Sequence, residues 1–528
     1  MHFRNPYNSR RSPIMGDCMV ATSQPLAAQA GLEAMARGGN AIDAALAAAI
    51  TLTVVEPTGN GVGSDAFAIV HDGENLHGLN ASGRSPEAWS PERFAEYTSM
   101  PLRGWESVTT PGAVSAWVAL SNRFGALPFT ALFERAIAYA EGGFPVSPVV
   151  SRLWALGAEE LGDQPGFAEA FARDGRTPRP GERFRHPQLA STLRAIAESH
   201  GAAFYHGELA ERIADAATDN GAALSQKDLA NHELDWPGTI SVPYGDVHAH
   251  EIPPNGQGIA ALIALGILDR TELRDMGPDS IAGLHLQIEA TKLALADTHA
   301  HIADPACMHV TPDDLLAPAY LDERAALIDR SCAMDPGHGA PKPGGTVYLT
   351  TADADGRMVS FIQSNYLGFG SGVVVPGTGI SLQGRGGGFS LTPGHPNQVA
   401  GGKRPFHTII PGFLTTPDGK PRSSYGVMGG PMQAQGHVQM TVRMVDFGQN
   451  PQMACDAPRW RVLAGREVAV ETAMPEETRA GLTALGHTLT VEEPEAAFGF
   501  GGAQIIHRLD GGYVAGSDPR KDGQAVAF

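Results

Sequence analysis

Gly344-Gly345-Thr346-Val347-Tyr348-Leu349-Thr350-Thr351, continued by Ala352-Asp353-Ala354-Asp355-Gly356 and by Arg357-Met358-Val359-Ser360-Phe361-Ile362-Gln363-Ser364, reads as a β-hairpin headed by a threonine. A Pro/Gly-rich segment ends at Thr346, a run of β-branched and aromatic residues begins there, an Asp/Gly turn reverses the chain, and a second such run returns. With a three-residue loop at Ala354 to Gly356, Ser364 falls opposite Thr346. Side chains so paired have Cβ atoms about 4.5–5.5 Å apart. A hydroxyl at the head of a strand, a second beside it and a Gly-Gly peptide just upstream suit a nucleophile released by self-cleavage.

Outward from this hairpin the chain changes character. Residues 331–345 are almost free of apolar side chains and form the strongest linker signal in the sequence. Upstream of it the pattern is mostly helical. Ser23 is placed to cap a helix that Gly38-Gly39 stops, and Asn40 to cap a second, over residues 41–51, whose alanine content demands close packing. Further helices are expected over 129–141, 187–201 and 280–302. Downstream come short β-rich runs, among them Val373-Val374-Val375, Ile409-Ile410, Tyr425-Gly426-Val427-Met428 and Ile505-Ile506-His507, with one helix over 433–445. A helix-rich part followed by a strand-rich part suits stacked α and β layers better than two independent domains.

Composition narrows the function classes. The 528 residues are 42% hydrophobic and 18% charged, enough for a sizeable core without disulfides. A net charge of −19 argues against non-specific binding to nucleic acid or to an anionic membrane surface, which leaves small molecules as the expected partners. Cys18, Cys307, Cys332 and Cys455 have no metal-ligand spacing and are expected as buried free thiols. His299 and His301, two apart on a helix, point to different faces, which favours a capping or surface role over a metal pair. The glycine loop Thr58-Gly59-Asn60-Gly61-Val62-Gly63-Ser64 lacks the Gly-Lys-Ser/Thr of a phosphate loop and precedes a strand, so no nucleotide is expected. The polar start of the chain runs into Ser12-Pro13-Ile14-Met15-Gly16-Asp17 with no apolar stretch of a leader or a membrane span, and a cytoplasmic location is expected.

Five segments occur in order along nearly the whole chain: Met19-Val20-Ala21-Thr22-Ser23-Gln24-Pro25-Leu26, Gly38-Gly39-Asn40-Ala41-Ile42-Asp43-Ala44-Ala45, the Thr346 hairpin, Phe369-Gly370-Ser371-Gly372-Val373 and Gly429-Gly430. Together they resemble the γ-glutamyltransferase family. The resemblance implies an N-terminal-nucleophile hydrolase fold, an α/β four-layer αββα sandwich. It also implies a precursor that cuts itself between Gly345 and Thr346 into a large chain, 1–345, and a small chain, 346–528, which stay together as one catalytic domain, with a homodimer open to it. No cofactor or metal is required. Thr346 is then the nucleophile, and its freed α-amine, with an ordinary pKa of about 7.7–8.0, serves as its base. Gly429 and Gly430 match the family's oxyanion-hole glycines, whose backbone N–H groups meet the developing charge. Ser364 falls where the family has a hydroxyl beside the nucleophile; the plain structural reading is a cross-strand hydrogen bond.

The acyl pocket departs from the family. Ser82 stands where an arginine would bind carboxylate, with Arg84 two positions on; Tyr366 stands at an asparagine position, and His407-Thr408 replace a serine pair. In Gln383-Gly384-Arg385-Gly386-Gly387-Gly388 the acid that would hold an α-ammonium is replaced by Gly388, and an arginine appears at 385. Arginine grips carboxylates in a bidentate fork, so the set Arg84, Tyr366, Arg385, His407 and Thr408 favours a small acidic acyl group without an adjacent ammonium. Either arginine could instead be a structural ion-pair partner. This set resembles the acylase and oxamate amidohydrolase-like branch. The expected function is a self-processing amidohydrolase that passes its acyl group mainly to water. A true γ-glutamyltransferase or glutathione hydrolase and an uncleaved, catalytically silent scaffold are the alternatives.

Overall fold

The hairpin forms as the sequence predicts in the computed structural model, which describes residues 11–172, 174–336, 345–494 and 499–528. Its antiparallel strands are Gly345–Ala352 and Met358–Tyr366, with Met358 opposite Ala352 and Gln363 opposite Val347. At the turn the Asp353 carbonyl accepts the Gly356 N–H at 3.0 Å. Gly356 takes φ +88°, a value that costs glycine little because it has no Cβ. Past Gln363 the register shifts, so that Tyr366 and not Asn365 pairs with Gly345. Of the linker, residues 337–344 lie outside the described residues.

This hairpin sits inside a six-stranded sheet ordered Gln524–Ala527, Met19–Thr22, Gly345–Ala352, Met358–Tyr366, Asp65–His71, Leu76–Asn80. A seven-stranded sheet stacks on it in the order Ile14–Gly16, Gly512–Ser517, Gly502–Leu509, Pro421–Met428, Gly412–Thr415, Val247–Glu251, Ile240–Tyr244. Both sheets draw strands from each side of residue 345. Strand alternation then divides the core into three apolar layers. Tyr348, Met358, Ile362, Phe67, Phe413, Met428 and Ile506 fill the space between the sheets. Val347, Leu349, Val359 and Phe361 turn the other way, onto the helices Pro25–Ala36 and Ala41–Val55. The far face of the seven-stranded sheet is covered by Gly258–Leu268, Ile281–His301 and Met432–Val445. The result is an αββα sandwich.

Local chemistry explains the starts of the first two helices. Asn40 and Asp43 form a capping box at the start of Ala41–Val55, a helix buried along its whole length that runs one turn past its expected end. Gly31 lets its neighbour Pro25–Ala36 approach so closely that a Cβ there would lie 2.8 Å from the Ala44 carbonyl. Gln24, not Ser23, caps that first helix, accepting from Leu26 and Ala27; the Ser23 hydroxyl donates instead to Glu56 Oε2 at 2.5 Å. The expected helix at 129–141 opens with a 3-10 segment, Phe129–Phe133, before Glu134–Gly142. The strand expected at Ile409-Ile410 starts later, at Gly412. The pair Ile240–Tyr244 and Val247–Glu251 is an unforeseen hairpin in a region read as helical; Pro243 and the outward His248 and His250 hid its period of two. All four cysteines are free, but only Cys455 is buried, and Cys332 is exposed. Among the described residues, no helix is long and apolar enough to cross a membrane.

Candidate active site

Thr346 is fully buried, and its position follows from strand parity. Tyr348, Ser360 and Ile362 face the space between the sheets, so Thr346 and Ser364 on the same strands do too. The Thr346 hydroxyl donates to the Gly345 carbonyl at 2.7 Å, the Ser364 hydroxyl donates to the same carbonyl at 2.8 Å, and the two hydroxyl oxygens are 3.1 Å apart. The Tyr366 N–H donates to Ser364 Oγ at 2.9 Å. Two hydroxyls thus converge on the carbonyl of the Gly345-Thr346 peptide. At Gly345 a Cβ would lie 3.0 Å from the Gly368 backbone and 3.1 Å from the Thr58 carbonyl, so only glycine fits without displacement.

The facing sheet brings the glycine pair to this point. Thr350 Oγ1 lies 2.5 Å from Ser424 Oγ, and the Tyr348 ring leaves no room for a Cβ at Gly426. One more two-residue step along both strands sets Thr346 at the level of Met428, immediately before Gly429-Gly430. Gly429 and Gly430 take φ +128° and +63°, left-handed values that favour glycine, and lead into the helix Met432–Val445. Gln433, in its first turn, donates from Nε2 to Thr346 Oγ1 at 3.3 Å. Gln257 Nε2 ties the Gly430 carbonyl at 2.9 Å to the Thr408 carbonyl at 2.6 Å.

A buried arginine packs against Tyr366 and Thr408. Arg385 is 1% exposed; its Nη1 donates to Thr408 Oγ1 at 2.9 Å and its guanidinium lies 5.0 Å from the centre of the Tyr366 ring. Arg385 Nε and Nη2 are buried with no hydrogen-bond partner among the described residues. Burial lowers its pKa to about 10, against the pull of Asp65. Asp65, across the ladder from Ser364, accepts from the Gly83 N–H at 3.2 Å, the Gly112 N–H at 3.1 Å and His407 Nε2 at 3.0 Å. Burial nonetheless raises its carboxyl to about 7, with Arg385 the largest opposing influence. His407 is held well below its usual pKa by burial, with Arg385 and Arg404 adding to this, so it is neutral. The Ile409 N–H points into His407 Nδ1, which leaves Nε2 as the protonated nitrogen facing Asp65. Tyr366 and Thr408 form part of the wall of an open cleft of about 720 Å³, with Gly388, Phe389, Phe406 and Pro431. Arg385 and Thr346 are buried and do not line the cleft.

Of the residues singled out in the sequence, the structure gathers Thr346, Ser364 and Gly345 at one peptide, and Tyr366, Arg385, His407 and Thr408 around one guanidinium. Arg84 is elsewhere: its half-exposed side chain donates to Asp304 Oδ2 at 3.0 Å and to the Gly402 carbonyl, and it does not line the cleft. That is the ion-pair role. Asp65 and Gln433 went unnoticed in the sequence. An acid at the head of the apolar run Asp65–His71, after a glycine loop, was the available signal for the first; nothing local marks the second. Far from the cleft, His285, Glu289 and His487 cluster in the core, but the Glu289 carboxylate there accepts from Lys292 Nζ at 2.8 Å.

A family model described as Gamma-glutamyltranspeptidase matches residues 27–528. The chain belongs to that family. Among its curated relatives are the oxamate amidohydrolase proenzyme of Klebsiella pneumoniae, 37% identical over 97% of this chain and 98% of that protein, and the glutathione hydrolase-like YwrD proenzyme of Bacillus subtilis, 36% identical over 97% and 98%. The solved structure of a cephalosporin acylase from Bacillus halodurans superposes with a TM-score of 0.95 at 46% identity, over 100% of this chain and 99% of that one. The αββα sandwich is therefore the N-terminal-nucleophile hydrolase fold of the family.

Proposed function

We propose that this family member is a self-processing amidohydrolase whose nucleophile is Thr346 and whose acyl pocket takes a small carboxylate-bearing group. The observation that carries the reading is the convergence of the Thr346 and Ser364 hydroxyls on the Gly345 carbonyl. In the precursor, Thr346 Oγ1 bonds to the Gly345 carbonyl carbon, the peptide C–N bond breaks, and the hydroxyl proton passes to the freed nitrogen. Water then opens the ester, leaving a Gly345 carboxylate and Thr346 with a free α-amine. That amine takes the hydroxyl proton when Oγ1 attacks a substrate amide, and passes it to the departing amine. Gly429 and Gly430 supply backbone N–H groups to the oxyanion, and a second water releases the acid.

The acyl preference rests on Arg385. Among the described residues two of its N–H-bearing nitrogens lack acceptors, and a carboxylate from the cleft satisfies both. The relatives named oxamate amidohydrolase and cephalosporin acylase agree with an amidohydrolase of this kind. The test has two parts. Intact mass should show a new chain beginning at Thr346, and purified enzyme should release product faster from oxamate or a glutaryl amide than from a γ-glutamyl anilide. The reverse order would make it a γ-glutamyl enzyme; a single uncut chain with no turnover would make it a scaffold.

A further inference from the structure

Gln433 touches the nucleophile and is itself held so that only its amide nitrogen can do so. Its side chain is fully buried. The Ile410 N–H donates to Gln433 Oε1 at 3.0 Å, which requires an oxygen on that side and fixes the amide. The NH2 group therefore faces Thr346 Oγ1, at 3.3 Å. The Gln433 backbone N–H donates to the Gly430 carbonyl at 3.1 Å, so the same residue braces the glycine pair. With an N–H directed at Oγ1, the hydroxyl's own proton has no acceptor on that side and is left to Ser364 or the Gly345 carbonyl, both within hydrogen-bond reach.

We propose that Gln433 is a catalytic residue, donating an N–H to Thr346 Oγ1 in the steps where that oxygen carries negative charge. The inference rests on Thr346 being the nucleophile. Charge develops on Oγ1 twice. It appears when the hydroxyl proton departs as the bond to the acyl carbon forms, and again when water attacks the ester and the C–Oγ1 bond breaks, returning the electron pair to Oγ1. Gln433 gains and loses no proton in either step. A donor already in place in a water-excluded site stabilises such charge without reorganisation.

The test uses the full-length precursor carrying Gln433→Met, Gln433→Glu or Thr346→Ala, with self-cleavage followed by intact mass at several pH values. Gln433→Met should cleave about 10²-fold more slowly, the cost of removing one preorganised donor. Gln433→Glu keeps the shape and the acceptor for Ile410. It should be slow at alkaline pH and recover toward the unmodified rate as pH falls, because the protonated acid regains an O–H donor. A cleavage rate in Gln433→Met equal to that of the unmodified chain overturns the proposal. So does an equal, pH-independent loss in both Gln433 variants, which denotes packing. Thr346→Ala should not cleave; if it still cuts at 345–346, the nucleophile assignment itself fails, whatever the Gln433 variants do.

Discussion

Replacing Arg385 with leucine probes the acyl pocket where its chemistry is most exposed to test. The guanidinium spends one N–H group on Thr408 and leaves Nε and Nη2 buried without acceptors among the described residues. A substrate carboxylate meeting those two nitrogens makes charge-assisted hydrogen bonds worth about 1.5–3 kcal/mol each. Losing one or both amounts to about 2–5 kcal/mol, or roughly 30-fold to several thousand-fold in affinity. Asp65 does not become a stranded charge. With Arg385 gone the largest influence lowering its carboxyl disappears, and it stays protonated through neutral pH. Steady-state kinetics on oxamate, on a glutaryl amide and on an uncharged acyl amide of the same length separate the effects. KM should rise for the anionic substrates, kcat/KM for the uncharged amide should stay within a few-fold, and intact mass should still show the chain beginning at Thr346. An unchanged KM for both anionic amides refutes the reasoning. An equal loss on the uncharged amide would reduce Arg385 to a structural cation.

Ser364→Ala removes one of the two hydroxyls on the Gly345 carbonyl and the acceptor of the Tyr366 N–H, and should slow the proposed self-cleavage by about 10²–10³-fold in a mass-spectrometric time course. Asp65 is raised to about 7, above its unfolded value, so its contribution to stability falls as pH climbs toward 7. The difference in thermal midpoint between the unmodified protein and Asp65→Asn should therefore shift against the unmodified protein over that range, and a flat difference would contradict the burial argument. Its ionisation also places a negative charge beside Arg385, so KM for an anionic amide should rise as pH passes about 7. Lys292→Met leaves Glu289 buried without its cation and should cost about 3–5 kcal/mol in denaturant unfolding. Glu289→Gln added to Lys292→Met should recover much of that loss.

The hairpin and its threonine were legible because they depend on local rules: a Gly/Pro linker, a run of period two and an Asp/Gly turn. Asn40 at the head of an alanine-rich helix was legible for the same reason. The Val247 hairpin was not, because short strands with outward histidines and an internal proline carry too little period to stand out from helix. Arg84 and Arg385 show the limit from the other side. In the sequence each is an arginine near a pocket motif; in the fold Asp304 takes up Arg84, while Arg385, beside the Tyr366 ring, keeps two nitrogens without a partner among the described residues.

The hairpin headed by Thr346 and the family membership were readable from the sequence alone, since each is written in contiguous residues, and the proposed cleavage point lies in the same stretch. Only the tertiary structure decided what surrounds Thr346. Ser364 comes with the hairpin, but Asp65, Arg385, His407 and Gln433 are scattered along the chain, and they gather at this end of it because the two sheets stack with their inward faces in step. Such contacts follow from sheet order and burial, which no single stretch of residues encodes.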